Sequence, residues 1–160
     1  MIDSVEFARF ILARVRFINK DRENPVKMGE TKLQKLLYIC DGFILAAGIN
    51  FIKEQARAWN YGPVYPRVHK WLEKHGNSSL PEEDCSAEAL QEIQKINAEP
   101  LVDKIINVYG DKTATELSAW THRPGSPWEV ALERGGGIMN SIIKKDVMET
   151  YFKGLLIADT

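Results

Sequence analysis

Cysteine is scarce in these 160 residues: only Cys40 and Cys85 occur, far apart in the chain. Two thiols so placed make neither a disulfide framework nor, on their own, a zinc site. Long hydrophobic runs are absent too, none approaching the ~20 apolar residues of a membrane-spanning helix. No charge of one sign dominates, because 21 Lys and Arg face 22 Asp and Glu for a net charge of -1. That balance argues against a strongly basic nucleic-acid-binding face and against a polyacidic tail. The opening segment carries Asp3 and Glu6 where a secretory leader would be positive. The expected setting is therefore the cytoplasm, with no membrane partner and nucleic acid disfavoured. P-loop, dinucleotide-binding, HExxH, CxxC and GxSxG motifs are all missing, and nothing points to a cofactor or a metal.

What is present is helical periodicity, punctuated by proline and glycine at segment ends. Ala8, Ile11, Leu12, Val15 and Ile18 form one stripe behind an Asp3 N-cap with Glu6 as its capping-box partner. Arg9, Arg14 and Arg16 fall away from that stripe and are expected in solvent. A second helix is expected to open on Thr31 with Gln34 as a capping box. Its wide stripe (Leu33, Leu36, Leu37, Cys40, Phe43, Ile44, Ala47) makes it the central helix, with Cys40 as a buried, inert thiol and Gly48 just past its end.

Residues 51–59 alternate imperfectly and admit a short extended piece. Gly62, Pro63 and Pro66 then impose a turn, with Pro66 opening a helix that closes at Gly76. Residues 77–86 read as a surface loop. Helical pattern resumes over 87–109, kinked or divided at Pro100. Two short capped helices follow, one starting at Thr113 with Glu116 and the other at Ser126 with Pro127 and Glu129. After the break at glycines 135–137, a last helix is expected over 144–153. The pattern predicts an all-α fold: a single compact domain, 1–160, of about six to eight helices, with room for one short extended pair.

Three groups of side chains invite a chemical reading. His69 and His75 with Asp84 and Cys85 would have to converge from opposite helix faces to bind a metal, so solvated histidines are the simpler reading. Ser118 and His122, four apart on one helix, resemble a nucleophile and base but lack an orienting third group and oxyanion donors. Glu129 is the acidic alternative partner for His122. The aromatics Trp59, Tyr61, Tyr65 and Trp71 gather at the first proline turn, and Trp120 and Trp128 at the second. At least half should be core anchors, and an exposed subset beside Arg57, Arg67 and Arg123 would suit a protein-binding hot spot. Such a set also suits single-stranded nucleic acid, which the charge balance does not favour.

The string TKLQKLLY at 31–38, followed by AWNYGPVYPRV at 58–68, resembles the signature of the Panacea domain, the SocA-like and GepA-like phage-associated family. LSAWTH at 117–122 and Pro127-Trp128 are similar to the family's second block. Trp59, Gly62, Pro63, Val64, His122, Pro127 and Trp128 are thereby identified as signature residues with a chiefly structural role; Gly62 is expected at positive φ and Trp128 in the core. The resemblance spans nearly the whole chain, although the 123–126 link is longer than is usual in the family.

The resemblance implies a non-enzymatic antitoxin of a two-gene toxin–antitoxin system, often carried by phages and prophages. Such a protein neutralises the toxin encoded by the adjacent gene through direct protein–protein binding. A SocA-type member instead delivers its toxin to a protease, which makes an adaptor the alternative function. A small hydrolase using His122 is the remaining one. Tyr61, Tyr65, Arg67 and Arg123 are the expected partner-binding residues.

Overall fold

In the computed structural model, residues 1–76 and 79–158 are described. Their element order is α1 (Ser4–Asn19), α2 (Glu30–Ala46), β1 (Arg57–Trp59), β2 (Gly62–Val64), α3 (Pro66–His75), α4 (Ala87–Lys95), α5 (Glu99–Tyr109), α6 (Ala114–Thr121), α7 (Pro127–Arg134), β3 (Ser141–Ile142) and α8 (Lys145–Ala158). The fold is predominantly helical, as the periodicity requires.

Helix α2 is the hub. Leu33, Leu36, Leu37, Tyr38, Ile39 and Cys40 are fully buried in succession, because α1, α5, α6 and α8 all pack around it. Burial pushes the Cys40 thiol up, so it stays protonated and unreactive. The α8 contact is the closest kind: Gly42 lets the ring of Phe152 lie directly on the α2 backbone. That ring meets Tyr38 and Phe43 edge-on at centroid distances of 5.5 and 5.0 Å.

The extended pair is real but shifted. β1 pairs antiparallel with β2, which the prolines had suggested was a turn alone. β3 adds to the other edge of β1, giving the order β2-β1-β3. Pro63 sits opposite Ala58 in this edge position, where the missing N–H breaks no central ladder.

Local capping signals are mostly realised. Thr113 and Glu116 form a complete capping box, Ser126 caps α7 with Pro127 at its first turn, and α3 runs from Pro66 to His75 as expected. The segment around Pro100 resolves into two abutting helices, α4 and α5, joined through Asn97 at φ 54. Residues 79–86 are loop; Asn77 and Ser78, which the expected surface loop includes, lie outside the described residues.

Other expectations change where tertiary partners intervene. Helix α2 starts at Glu30 with Gly29 as N-cap and no side-chain cap. Gln34 is drawn instead to Tyr65, accepting from its N–H at 2.8 Å and donating to its carbonyl at 3.3 Å. Asp3 does cap α1 by accepting from the Val5 N–H, but Glu6 pairs with Arg9 and accepts from the Ser86 N–H. Arg14 is not simply solvated: it is three-quarters or more covered and bonds Asp103 through two nitrogens. Arg9 and Arg16 likewise reach across to the loop before α4. The last helix begins at Lys145 and continues to Ala158, a turn beyond the expected end.

Candidate functional site

The two blocks of sequence signature, some sixty residues apart, meet at the β1–β2 hairpin. Gly62 adopts φ +117, as the tight turn after Asn60 and Tyr61 demands, since only glycine enters that region freely. Its Cα faces Thr121 and Lys35 so closely that a Cβ would stand 2.5 Å from Thr121 Oγ1 and 2.7 Å from Lys35 Cε. Lys35 is buried in the apolar wall of α2 and donates through Nζ to the Pro63 carbonyl at 2.9 Å. Burial pulls its pKa down to about 8, with Glu30 opposing the shift.

From the other side, Trp128 on α7 donates through Nε1 to the Trp59 carbonyl at 2.7 Å. The His122 ring, at the end of α6, stacks on Trp128 with centroids 3.7 Å apart and planes 18° off parallel. Burial, aided by Lys35, lowers the His122 pKa, so the ring is neutral near pH 7. Trp128 is half-buried rather than a full core residue, because its indole lies along the hairpin. Trp59 in turn donates through Nε1 to Asn140 Oδ1 at 2.9 Å and meets His69 edge-on at 5.1 Å. The arrangement fixes the hairpin from α2, α6, α7 and the loop before β3.

This constellation does not resemble a catalytic set. The Ser118 carbonyl accepts from Thr121 Oγ1 at 2.7 Å, and no hydrogen bond joins the Ser118 side chain to His122. Glu129 turns away to accept from the Gly125 N–H. His69 takes Glu30 at 2.6 Å and Glu73 at 3.5 Å. Among the described residues, no group of three or more His, Cys, Asp or Glu side chains is placed to hold a metal ion.

The expected partner-binding residues have different fates. Tyr61 projects from the hairpin tip, 72% exposed. Arg67 is exposed but tied to Asp3. Arg123 lies over the Trp120 ring, 4.2 Å from its centroid, and donates to the Tyr151 hydroxyl at 2.9 Å. Tyr65 departs from the expectation: it is fully buried, and its hydroxyl donates to Asp41 Oδ2 at 2.7 Å, so it does not reach the surface. Burial raises Asp41 to about 6, against the Tyr65 hydrogen bond and Lys145, which lower it.

Lys35, Asp41 and Asn140 were not singled out from the sequence, and Gln34 was read only as a capping-box residue. Lys35, Gln34 and Asp41 were detectable as polar residues interrupting an otherwise apolar helix. Asn140 carried no such mark.

The fold is thus a hairpin with Gly62 at positive φ, locked onto a helical hub by Lys35, Trp128 and Asn140. Residues 33–129, more than half of the chain, match the family described as "Antitoxin SocA-like, Panacea domain", and the chain belongs to that family. It is 26% identical over 121 residues to Antitoxin SocA of Caulobacter vibrioides (strain NA1000 / CB15N), a match covering 71% of this chain. The matched region spans 64% of that relative's length. No solved structure matches the chain. Among the described residues, no helix is long and apolar enough to cross a membrane.

Proposed function

We propose that this protein is an antitoxin that neutralises a cognate toxin, the product of the adjacent gene, by binding it directly in the cytoplasm. Membership of the SocA-like family is the observation that carries this reading. The site supports it in physical terms. The polar groups around the hairpin are spent on holding backbone in place, as Lys35 does for Pro63 and Trp128 for Trp59. A rigid platform of this kind loses little conformational entropy when a partner docks. Tyr61 at its tip is the side chain most available for contact, and tyrosine is favoured at binding hot spots. Arg67 and Arg123 are its second-rank companions, since each already holds partners within the chain.

The test is co-expression. The neighbouring gene product alone is expected to arrest growth, co-expression of this chain to restore it, and the two proteins to co-purify. A harmless neighbour that does not co-purify overturns the reading. Occlusion predicts that the toxin's half-life is unchanged by this chain; a half-life shortened in a protease-dependent way would assign the adaptor mechanism instead.

A further inference from the structure

The chain has eight arginines. Five of them, Arg9, Arg14, Arg16, Arg22 and Arg67, are paired with carboxylates, and Arg123 is occupied by Trp120 and Tyr151. The two without a carboxylate among the described residues are Arg57 and Arg134, and both flank one structure, the loop that leads into β3. Lys144, just after β3, is likewise unmatched by any carboxylate among the described residues. Arg134 and Lys144 line a groove between α7 and α8 whose apolar wall includes Val130, Val147 and Ile142.

The loop between them is fastened in place. Asn140, at φ 75, donates its N–H to the Ala58 carbonyl at 2.7 Å. Its side-chain oxygen accepts from Trp59 Nε1 and its carbonyl accepts from Arg57 at 3.0 Å. Ser141 Oγ closes the loop onto the Ile138 carbonyl at 2.6 Å. What this clasped loop displays is apolar: Ile138 is 68% exposed, and Met139 and Ile142 are each 43% exposed. The antiparallel register sets Asn140 beside Trp59, so Met139 comes at the turn end of the sheet, the end that carries Tyr61. Apolar side chains presented on a loop tied down at Asn140 and Ser141, with unmatched cations at the margin, have the anatomy of an interface core and its polar rim.

We infer that residues 138–142, with the adjoining α7–α8 groove, form the toxin-docking surface and accept a segment of the toxin that is aliphatic at its centre and acidic at its flanks. The inference rests on the antitoxin reading above. Apolar contact fills the Ile138, Met139 and Ile142 surface, and carboxylates of the partner meet Arg134 and Lys144.

The test measures binding of the purified chain to the adjacent-gene toxin by calorimetry at low and high salt. Ile138→Asp with Met139→Asp is expected to weaken binding by about 30-fold or more, the scale of a hot-spot loss. Arg134→Glu with Lys144→Glu is expected to weaken it by about tenfold or more at low salt and by less at high salt. Lys104→Glu, on α5, is expected to leave affinity unchanged. Melting temperatures should stay at the wild-type value, because all four targets in the two double variants face solvent or the groove. Hydrogen exchange on the wild-type complex, which needs no variant, should show protection over 134–144.

Double variants that fold normally and bind as tightly as wild type overturn the surface while leaving the antitoxin reading intact, as does exchange unprotected over 134–144. A free chain that dimerises through this face, and is rendered monomeric by the same variants, also overturns it. A wild-type chain that does not bind the toxin at all overturns the antitoxin reading and the surface with it.

Discussion

The indole of Trp128 is bonded to the backbone of Trp59, Nε1 to carbonyl oxygen at 2.7 Å, across 69 positions of chain. This one bond joins the start of α7 to the end of β1. The same indole carries the stacked His122 ring on its face, so its removal loses a hydrogen bond, a ring contact and packing together. Trp128→Ala should lower the unfolding free energy by about 3 kcal/mol, the low end for a large aromatic because the ring is not fully buried. Trp128→Phe keeps most of the packing and isolates the bond, at about 1 kcal/mol. Urea denaturation of the two variants separates these contributions; equal losses would show that the bond alone matters.

Gly62 is held at φ +117 with no room for a Cβ. Gly62→Ala combines left-handed backbone strain with overpacking against Thr121 and Lys35, and should cost at least about 2 kcal/mol. A Thr121→Ala, Gly62→Ala double variant should lose less than the sum of the single losses, because it removes Thr121 Oγ1, the atom nearest the new Cβ. Strict additivity would mean that backbone strain, not crowding, sets the cost.

Gly42 on α2 is covered by the Phe152 ring. A methyl group there displaces a ring that is itself buried among Tyr38, Phe43 and Trp120, so Gly42→Ala should destabilise by about 1–3 kcal/mol despite its better helix propensity. Phe152→Leu should recover part of that loss. Thermal melts of the pair check this, and a stabilised Gly42→Ala protein contradicts it.

Asp41 is nearly wholly buried, with Oδ2 bonded to Tyr65 and Oδ1 without a hydrogen-bond partner among the described residues. Its pKa is raised from 3.8 to about 6 in the folded protein. Between those values the folded state retains a proton that the unfolded chain releases, so this group lowers stability as pH rises through that window. The cost is complete above about pH 6 and absent below 3.8. Asp41→Asn should therefore be more stable than wild type at neutral pH, by on the order of 1–3 kcal/mol. The advantage should fade as pH falls below 6. Urea midpoints measured from pH 4 to pH 8 give the profile; a gap independent of pH would place the cause elsewhere.

Helix boundaries set by local chemistry were legible in advance. Thr113 with Glu116, Ser126 with Pro127, and Pro66 at the start of α3 each satisfy backbone groups within a few residues, so no distant partner is needed to read them. Gln34 shows the limit. Its spacing from Thr31 fits a capping box, yet a better offer from the Tyr65 backbone, 31 positions on, takes the side chain away. Residues 62–64 read as a turn because Gly and Pro dominate them, and became a strand only because β1 lies alongside. Tyr65 looked like a contact residue for the same reason: nothing local announces that Asp41 waits beneath it. The signature blocks lie at the hairpin, whereas the clasp at Asn140 depends on a β1–β3 pairing that no periodicity encodes.

The fastening of the hairpin by Asn140 and the covering of Gly42 by Phe152 have a consequence for how the protein is made. Both late residues follow their early partners by some eighty to a hundred and ten positions in the sequence. At roughly 5–20 residues per second, a ribosome delivers them about 4–20 s after α2 and the hairpin have been synthesised. During that interval the hub helix has no lid and the platform has no clasp. The nascent chain is therefore open to proteases over α2 and the hairpin. The parts of α2 and the hairpin that Phe152 and Asn140 cover stay open until translation has passed both residues.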